Sequence, residues 1–109
     1  MIKLCLTPHA VLRAKERVGW CQRTLNRMLE RIFYDGLTAE DGGRGLRQYL
    51  AAVKDSLPSR FARIYGEHVF IFARENDPEE VALITILLLP AELRPVARRA
   101  REHHRLHSA

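Results

Sequence analysis

Hydrophobic positions change their spacing about halfway along the chain. In the first part apolar side chains recur every three or four positions, which is the period of a helix buried on one face. This spacing predicts helices over residues 8–18, 22–34 and 45–57. In the second part apolar and polar residues alternate, or apolar residues follow one another without interruption, as they do in strands. This pattern predicts strands over residues 61–65, 68–73 and 81–89.

The residues between these segments are of the kinds that begin helices and form turns. Thr7 can cap the first helix with its hydroxyl, Pro8 suits the first helical position, and Gly19 ends the helix. Residues 66–67 fit the tight turn of a β-hairpin, and residues 76–78 fit a second turn. The apolar run that follows predicts a central strand covered on both faces.

The order of these elements predicts an α+β fold. Two or three N-terminal helices pack on a small antiparallel β-meander, and a basic C-terminal helix or tail follows. Residues 2–6 are a short apolar segment that fits an edge strand or a lead-in to the first helix. A chain of 109 residues with 47% hydrophobic side chains is enough for a single domain. Within it, residues 38–60 look like an inserted helical segment and residues 91–109 like a basic extension.

The charge of the chain favours an anionic partner. Lys and Arg number 18 against 13 Asp and Glu, a formal net charge of +5, and 15 of the 18 basic residues are arginine. Arginine binds phosphate through two parallel hydrogen bonds and stacks on bases, so RNA is the first expected partner and an acidic protein the second. An arginine-rich composition is also what a GC-rich genome produces.

The two cysteines and the apolar segments predict a cytoplasmic protein without a membrane span. No apolar signal run is evident at the N-terminus, and residues 81–89, the longest apolar stretch, are too short to cross a bilayer. Cys5 and Cys21 lack the paired spacing of a zinc site, so both are interpreted as reduced, small apolar fillers. No metal or other cofactor is expected.

The first predicted helix carries an imidazole, a carboxylate and two guanidiniums on one face. At 3.6 residues per turn these groups form a single polar stripe, which consists of His9, Arg13, Glu16 and Arg17. The apolar residues of the same helix fall on its opposite side: Ala10, Val11, Ala14 and Val18. Such polar groups bind a phosphate and move a proton beside it. A simpler interpretation is a solvated helix face whose ion pairs contribute little.

Three segments of the chain resemble one group of small ribonucleases. They read TPHAVLRAKERVGW, RIYGEHVFIFAREN and VALITILLLP, and a helix ending in glycine follows the first of them. Together they resemble the barnase–EndoU–colicin–RelE group of folds over residues 7–36 and 63–90. His9, Arg13 and Arg17 are similar to the opening of an uncharacterised branch of that group, in which a histidine precedes two arginines at one-turn steps.

The resemblance implies two helices on an antiparallel sheet and metal-independent cleavage of RNA. Members of the group are often toxins of bacterial competition or of toxin–antitoxin pairs, although such folds also occur as inactive binders. The chain departs from the pattern in the inserted segment over residues 38–60 and in a longer, more basic tail. An insertion at that place could cover the sheet face on which a substrate would lie.

The polar stripe supplies the parts that metal-free RNA cleavage requires. One group removes the proton of the 2′-OH, another protonates the leaving 5′-oxygen, and cations stabilise the phosphate between them. His9 fits either proton-transfer role. Glu16 fits the other role, or else orients an arginine. Arg13 and Arg17 fit the phosphate-binding role.

Polar side chains of the predicted sheet extend this candidate catalytic set. Tyr65 and Thr85 add hydrogen bonds if the face of the sheet that carries them meets the first helix. His68 follows the hairpin turn directly and is interpreted as an exposed turn residue rather than a catalytic one.

A second basic region lies at the C-terminal end of the chain. Its arginines are the expected nucleic-acid-binding residues: Arg94, Arg98, Arg99, Arg101 and Arg105. Cations in this arrangement raise affinity for RNA by releasing counterions. The alternative is a disordered end that only aids solubility.

These observations predict an RNA-binding domain of ribonuclease-toxin type which, if active, is a metal-independent endoribonuclease. The alternative is a non-catalytic regulatory or inhibitor protein of phage or mobile-element type that binds nucleic acid or an acidic protein. A third interpretation is a structural subunit whose apolar helix faces form an oligomer.

Overall fold

The predicted α+β architecture is confirmed by a computed structural model that describes residues 2–53, 59–75, 77 and 79–107. The helices in this part of the chain are α1 (Pro8–Arg13), α2 (Gln22–Asp35), α3 (Gly43–Val53) and α4 (Arg94–His107). The strands are β1 (Lys3–Leu6), β2 (Arg60–Tyr65), β3 (His68–Arg74) and β4 (Glu80–Leu88). A π-helical turn (Ala14–Val18) prolongs α1, and a 3₁₀ turn (Ala91–Leu93) precedes α4.

The strands form one mixed sheet in the order β1-β4-β3-β2. The predicted meander is present, since β2 pairs with β3 and β3 with β4, both antiparallel. The expected edge strand is also present, but β1 runs parallel to β4, with Leu4 opposite Val81. The sheet is therefore mixed rather than purely antiparallel. Strand β4 lies in its interior between β1 and β3, as its apolar sequence predicts.

Helices cover both faces of the sheet. On one face the residues Ala10 and Ala14 of the first helix and Leu25 of α2 pack with Phe70 and Leu83 of the sheet. On the other face α3 and α4 pack against the alternate side chains of the strands, in a cluster that includes Leu46, Leu50, Val69, Ile71 and Ala97. Successive residues of β3 thus belong to different cores, because side chains alternate across a strand.

The first helix begins and ends where the sequence predicts. The Thr7 hydroxyl accepts a hydrogen bond from the amide of Ala10 (3.1 Å), which caps α1. The same hydroxyl donates to the carbonyl of Leu83 (2.8 Å) and so attaches the start of the helix to β4. At the other end Gly19 adopts the left-handed region, with φ +79°, and the Ala14 carbonyl accepts a hydrogen bond from the amide of Trp20 (3.1 Å). The π-helical turn before Gly19 is a detail that the sequence did not predict.

Helices α3 and α4, the described helices of the inserted segment and of the basic extension, both lie on the face opposite the first helix. Helix α3 starts at Gly43 rather than at residue 45, and its predicted last residues, 54–57, lie outside the described part of the chain. Helix α4 is not a loose tail, since Ala97 is 1% exposed and Val96 and Ala100 pack beside it. Helix α3, the described helix of the insertion, therefore lies on the other side of the sheet from the first helix.

Three further predictions concern the cysteines, the second turn and the absence of a membrane span. Cys21 is exposed, so it is not an apolar filler, whereas Cys5 is partly buried on β1. Of the second predicted turn, residues 76 and 78 lie outside the described residues. No helix within the described ranges is long and apolar enough to cross a membrane.

Candidate functional site

The polar stripe of the first helix faces β4 and meets Thr85 there. The Nε2 atom of His9 lies 3.2 Å from the Thr85 hydroxyl oxygen and 3.4 Å from Nε of Arg13. His9 is exposed, and the Arg13 and Thr85 side chains are partly exposed, so a ligand can reach all three. We call His9, Arg13, Glu16, Arg17 and Thr85 the polar row.

The contacts of His9 favour one of the two tautomers of its neutral ring. Arg13 Nε is a donor and has no lone pair to accept a hydrogen bond. In the neutral ring, this 3.4 Å contact favours the tautomer in which Nε2 accepts and Nδ1 carries the proton. The Thr85 hydroxyl is a second donor that can share the same lone pair of Nε2. An unprotonated nitrogen on an exposed ring is the form that a general base requires.

Glu16 is engaged with Arg13 rather than with His9. Its carboxylate accepts a hydrogen bond from Nη1 of Arg13 at 2.6 Å, and the two side chains are 45% and 28% exposed. The spacing of three residues brings the two groups to the same side of the helix. Of the two roles considered for Glu16, the contacts favour the orientation of Arg13.

Arg17 and His68 join the end of the first helix to the sheet. Arg17 Nη1 donates to the carbonyl of Ile86 (2.7 Å), which holds the guanidinium against β4 one residue from Thr85. His68 Nε2 lies 3.0 Å from the carbonyl oxygen of Arg17 and donates to it. This carbonyl is one of the last of the helix, and a histidine is a favourable partner for such a group.

The contact of His68 with the first helix was not predicted from the sequence. His68 is partly buried on β3 and touches the polar stripe across 51 positions of sequence. The local sequence shows only that it follows a hairpin turn. Its distance from the first helix depends on how that helix crosses the sheet, which no local pattern specifies.

Tyr65 belongs to the same side of the molecule but not to the polar row. It is partly buried at the end of β2, opposite His68, and packs against the core that the first helix covers. Among the described residues no hydrogen bond joins Tyr65 to His9, Arg13 or Arg17. The structure thus joins four of the six residues predicted as catalytic by side-chain contacts: His9, Arg13, Glu16 and Thr85. It places Arg17 on the neighbouring Ile86 carbonyl and leaves Tyr65 at the margin.

Two irregularities of the backbone lie at the polar row. The pairing of β3 with β4 shifts between Ile71 and Phe72, which leaves Ile84, next to Thr85, without a partner on β3. The π-helical turn carries Glu16 and Arg17. Bulges and π turns both occur often at functional sites, because each redirects side chains that a regular element would hold elsewhere.

The predicted nucleic-acid-binding arginines lie on α4, behind the sheet. Arg94 donates from Nε to the Leu89 carbonyl (2.9 Å) at the start of the helix. Arg98, Arg99 and Arg101 are exposed. The side chain of Arg105 lies outside the described part of the chain.

A cavity of about 360 Å³ lies away from the polar row, between α3 and the start of β2. Its lining includes Glu40, Arg47 and Arg63, but no residue of the polar row. We place the candidate chemistry at the polar row nonetheless, because an exposed imidazole, a hydroxyl and the Arg13 guanidinium contact one another there, and the Arg17 guanidinium lies on the carbonyl of Ile86, next to Thr85.

Comparison of the chain with protein-family models, with curated proteins and with solved structures gave no match. The contacts of the polar row are therefore the basis on which function is inferred.

Proposed function

We propose that this protein binds RNA and cleaves it without a metal ion, by attack of the 2′-OH on the adjacent phosphate. The observation that carries the proposal is the contact of His9 Nε2 with Thr85 (3.2 Å) and with Arg13 (3.4 Å) at an exposed position. The similarity of His9, Arg13 and Arg17 to the opening of a ribonuclease-like branch also supports it.

His9 is the proposed base. When RNA binds, its 2′-OH replaces the Arg13 and Thr85 donors at the single lone pair of Nε2. Nε2 then takes the proton of the 2′-OH, and the 2′-oxygen attacks phosphorus. The bond from phosphorus to the 5′-oxygen breaks, and that oxygen takes a proton from the His9 imidazolium or from water. The products are a 2′,3′-cyclic phosphate and a 5′-OH, so no other reactant is consumed.

Arg13 and Arg17 are the proposed phosphate ligands. Each guanidinium has five N–H donors, and the described contacts occupy only some of them. Both charges lie on the side of the helix that carries His9, where they would stabilise the charge that grows on the phosphate. Glu16 holds Arg13 in place by its ion pair, and Thr85 holds the His9 ring before RNA binds.

The proposal is tested with end-labelled RNA in the presence of EDTA. The wild-type protein is expected to yield fragments with 2′,3′-cyclic phosphate ends, and His9→Ala is expected to lower kcat by about 10²–10⁴-fold. Arg13→Ala should be similarly impaired, because the phosphate charge loses its partner. Arg31→Ala, which removes one exposed charge from α2, is the matched control and should cleave as the wild type does.

Two further variants separate proton transfer from positioning. Glu16→Gln removes the charge but keeps a hydrogen-bond acceptor for Arg13, so we expect a smaller loss than in His9→Ala. Thr85→Val keeps the shape and removes the hydroxyl, and should also retain part of the activity. A wild-type protein that leaves several RNAs intact, or a His9→Ala protein that cleaves normally, would contradict the proposal. RNA that is bound but never cut would instead support the non-catalytic binder.

A further inference from the structure

The turn between β2 and β3 contacts both helical layers of the molecule. On the first-helix side, His68 reaches the Arg17 carbonyl at 3.0 Å. On the α4 side, Arg101 Nη1 donates to the Gly66 carbonyl at 3.4 Å, and Arg98 lies 3.9 Å from the Glu67 carboxylate. Residues 66–68 are consecutive, and consecutive Cα atoms are about 3.8 Å apart. The turn therefore connects the arginines of α4, around one end of the sheet, with the backbone of Arg17 at the end of the polar row.

Arg98 and Arg101, at this end of the sheet, have N–H groups that the described contacts do not use. The Arg98 side chain is 61% exposed, and its ion pair with Glu67, itself 53% exposed, is long at 3.9 Å. Arg101 is exposed and makes one described hydrogen bond. Arg94, Arg98 and Arg101 follow one another at steps of four and three residues, so they line one side of α4.

We propose that Arg17, Arg98 and Arg101 form a continuous basic track on which an RNA strand continues from the polar row, past the β2–β3 turn, to α4. This inference rests on the proposed function, because it takes the polar row as the place where RNA is cut. Cations spaced along such a path match the regular negative charges of a phosphate backbone and need no particular base sequence. An acidic protein that bound the same arginines would compete with RNA for them.

Removal of the Glu67 charge should change RNA affinity in the opposite direction to removal of an arginine. Its carboxylate is the negative group at the middle of the track, where it offsets Arg98. Glu67→Gln removes this charge and leaves the backbone carbonyl that accepts a hydrogen bond from the Leu89 amide. If the track binds phosphates, this variant binds RNA more tightly than the wild type.

Binding is measured with a fluorescent single-stranded RNA of about 20 nucleotides that is 2′-O-methylated, so that it cannot be cleaved, over a series of NaCl concentrations. For a single strand, removing one phosphate-binding cation makes the slope of log Kd against log salt shallower by about 0.7, so Arg98→Ala/Arg101→Ala should change the slope by about 1.4. Arg44→Ala/Arg47→Ala removes the same charge from exposed positions of α3 and is the control, with an unchanged slope expected.

Cleavage of unmodified RNA then separates this inference from the proposed function. Arg98→Ala/Arg101→Ala should cleave a dinucleotide, too short to reach α4, as the wild type does. The same variant should show a raised KM and an unchanged kcat on the longer RNA. Equal slope changes in the α3 and α4 variants, or weaker binding by Glu67→Gln, would overturn the track. A wild-type protein that binds with the expected slopes but cuts nothing would support the track and contradict only the proposed cleavage; one that binds no RNA would overturn both.

Discussion

At the scale of single residues, Arg63 shows how a charge can be used to hold two elements together. Its Nε donates to the Phe33 carbonyl and its Nη1 to the Ala62 carbonyl, both at 3.1 Å. Its guanidinium carbon lies 5.0 Å from the ring centre of Phe61 and 5.7 Å from that of Phe33. Burial lowers the pKa of Arg63, and the charges of Glu40 and Asp41 oppose that shift. The residue thereby attaches the end of α2 to β2.

Arg63→Lys should destabilise the protein although it keeps the charge. An ammonium group cannot donate along both directions of the planar guanidinium or stack on the two rings in the same way. We expect the free energy of unfolding in urea to fall by about 1–3 kcal/mol. Arg44→Lys, on the exposed side of α3, should change it by less than about 0.5 kcal/mol. Equal effects of the two substitutions would show that the Arg63 contacts contribute nothing.

The two cysteines should differ in reactivity. The hydroxyl of Thr24, 3.4 Å from the Cys21 sulfur, lowers the pKa of this exposed thiol. Burial, followed by the hydrogen bond and charge of Glu80, raises the pKa of Cys5. At a given pH a larger fraction of Cys21 than of Cys5 is therefore thiolate. Cys21 should react faster than Cys5 with a disulfide reagent near pH 8. Cys21→Ser should remove the fast phase and Cys5→Ser the slow one; a single common rate in the wild type would contradict this.

At the scale of elements, the first helix is defined by its ends. The Thr7 hydroxyl caps its start and simultaneously bonds to Leu83 of β4, so the cap also sets where the helix sits on the sheet. Gly19 closes the π-helical turn with φ +79°. The polar row depends on both, since they fix the position of His9 at one end and of Arg17 at the other.

Two glycine-to-alanine substitutions should have opposite effects on stability. A Cβ at Gly19 or at Gly45 would meet no atom within 4 Å, so neither substitution creates a clash. At Gly19 the left-handed backbone disfavours alanine by about 1–2 kcal/mol. At Gly45, inside α3, alanine should stabilise the helix by up to about 1 kcal/mol. The measurement is the midpoint of thermal unfolding, and a gain in stability at Gly19 would refute the argument.

At the scale of the whole molecule, one sheet serves two cores. Phe70 and Phe72 of β3 pack under the first helix and α2, whereas Val69 and Ile71 pack under α3 and α4. The strand cannot leave one core and keep its place in the other. The two faces should therefore unfold together, although the polar row belongs to only one of them.

Leu46→Ala in α3 should be detected by Trp20 on the opposite face. Leu46 is 0% exposed, and its truncation should cost about 2–5 kcal/mol. Trp20 stacks on Phe70 at 6.2 Å between ring centres, so the fluorescence of this single tryptophan reports on the first-helix core. Its urea midpoint should fall together with that of the far-ultraviolet circular dichroism. An unchanged Trp20 midpoint would mean that the two cores unfold separately.

The local elements and much of the polar row were accessible from the sequence because their signals are local. The period of the apolar residues located the helices, and Thr7, Pro8 and Gly19 marked the ends of the first one. The alternation around residues 66–67 located the hairpin. The stripe from His9 to Arg17 follows from the helical repeat alone, since residues one turn apart must share a face.

Only the tertiary structure decided what these elements face. It brings Thr85 to His9 across 76 positions and His68 to Arg17 across 51, pairs β1 in parallel with β4, and puts α3 behind the sheet. No local sequence pattern predicts these contacts. The spacing of apolar residues shows which side of a helix or strand is buried, but not which element packs against that side. The partner is chosen by packing all apolar faces at once, and that choice is a property of the whole chain.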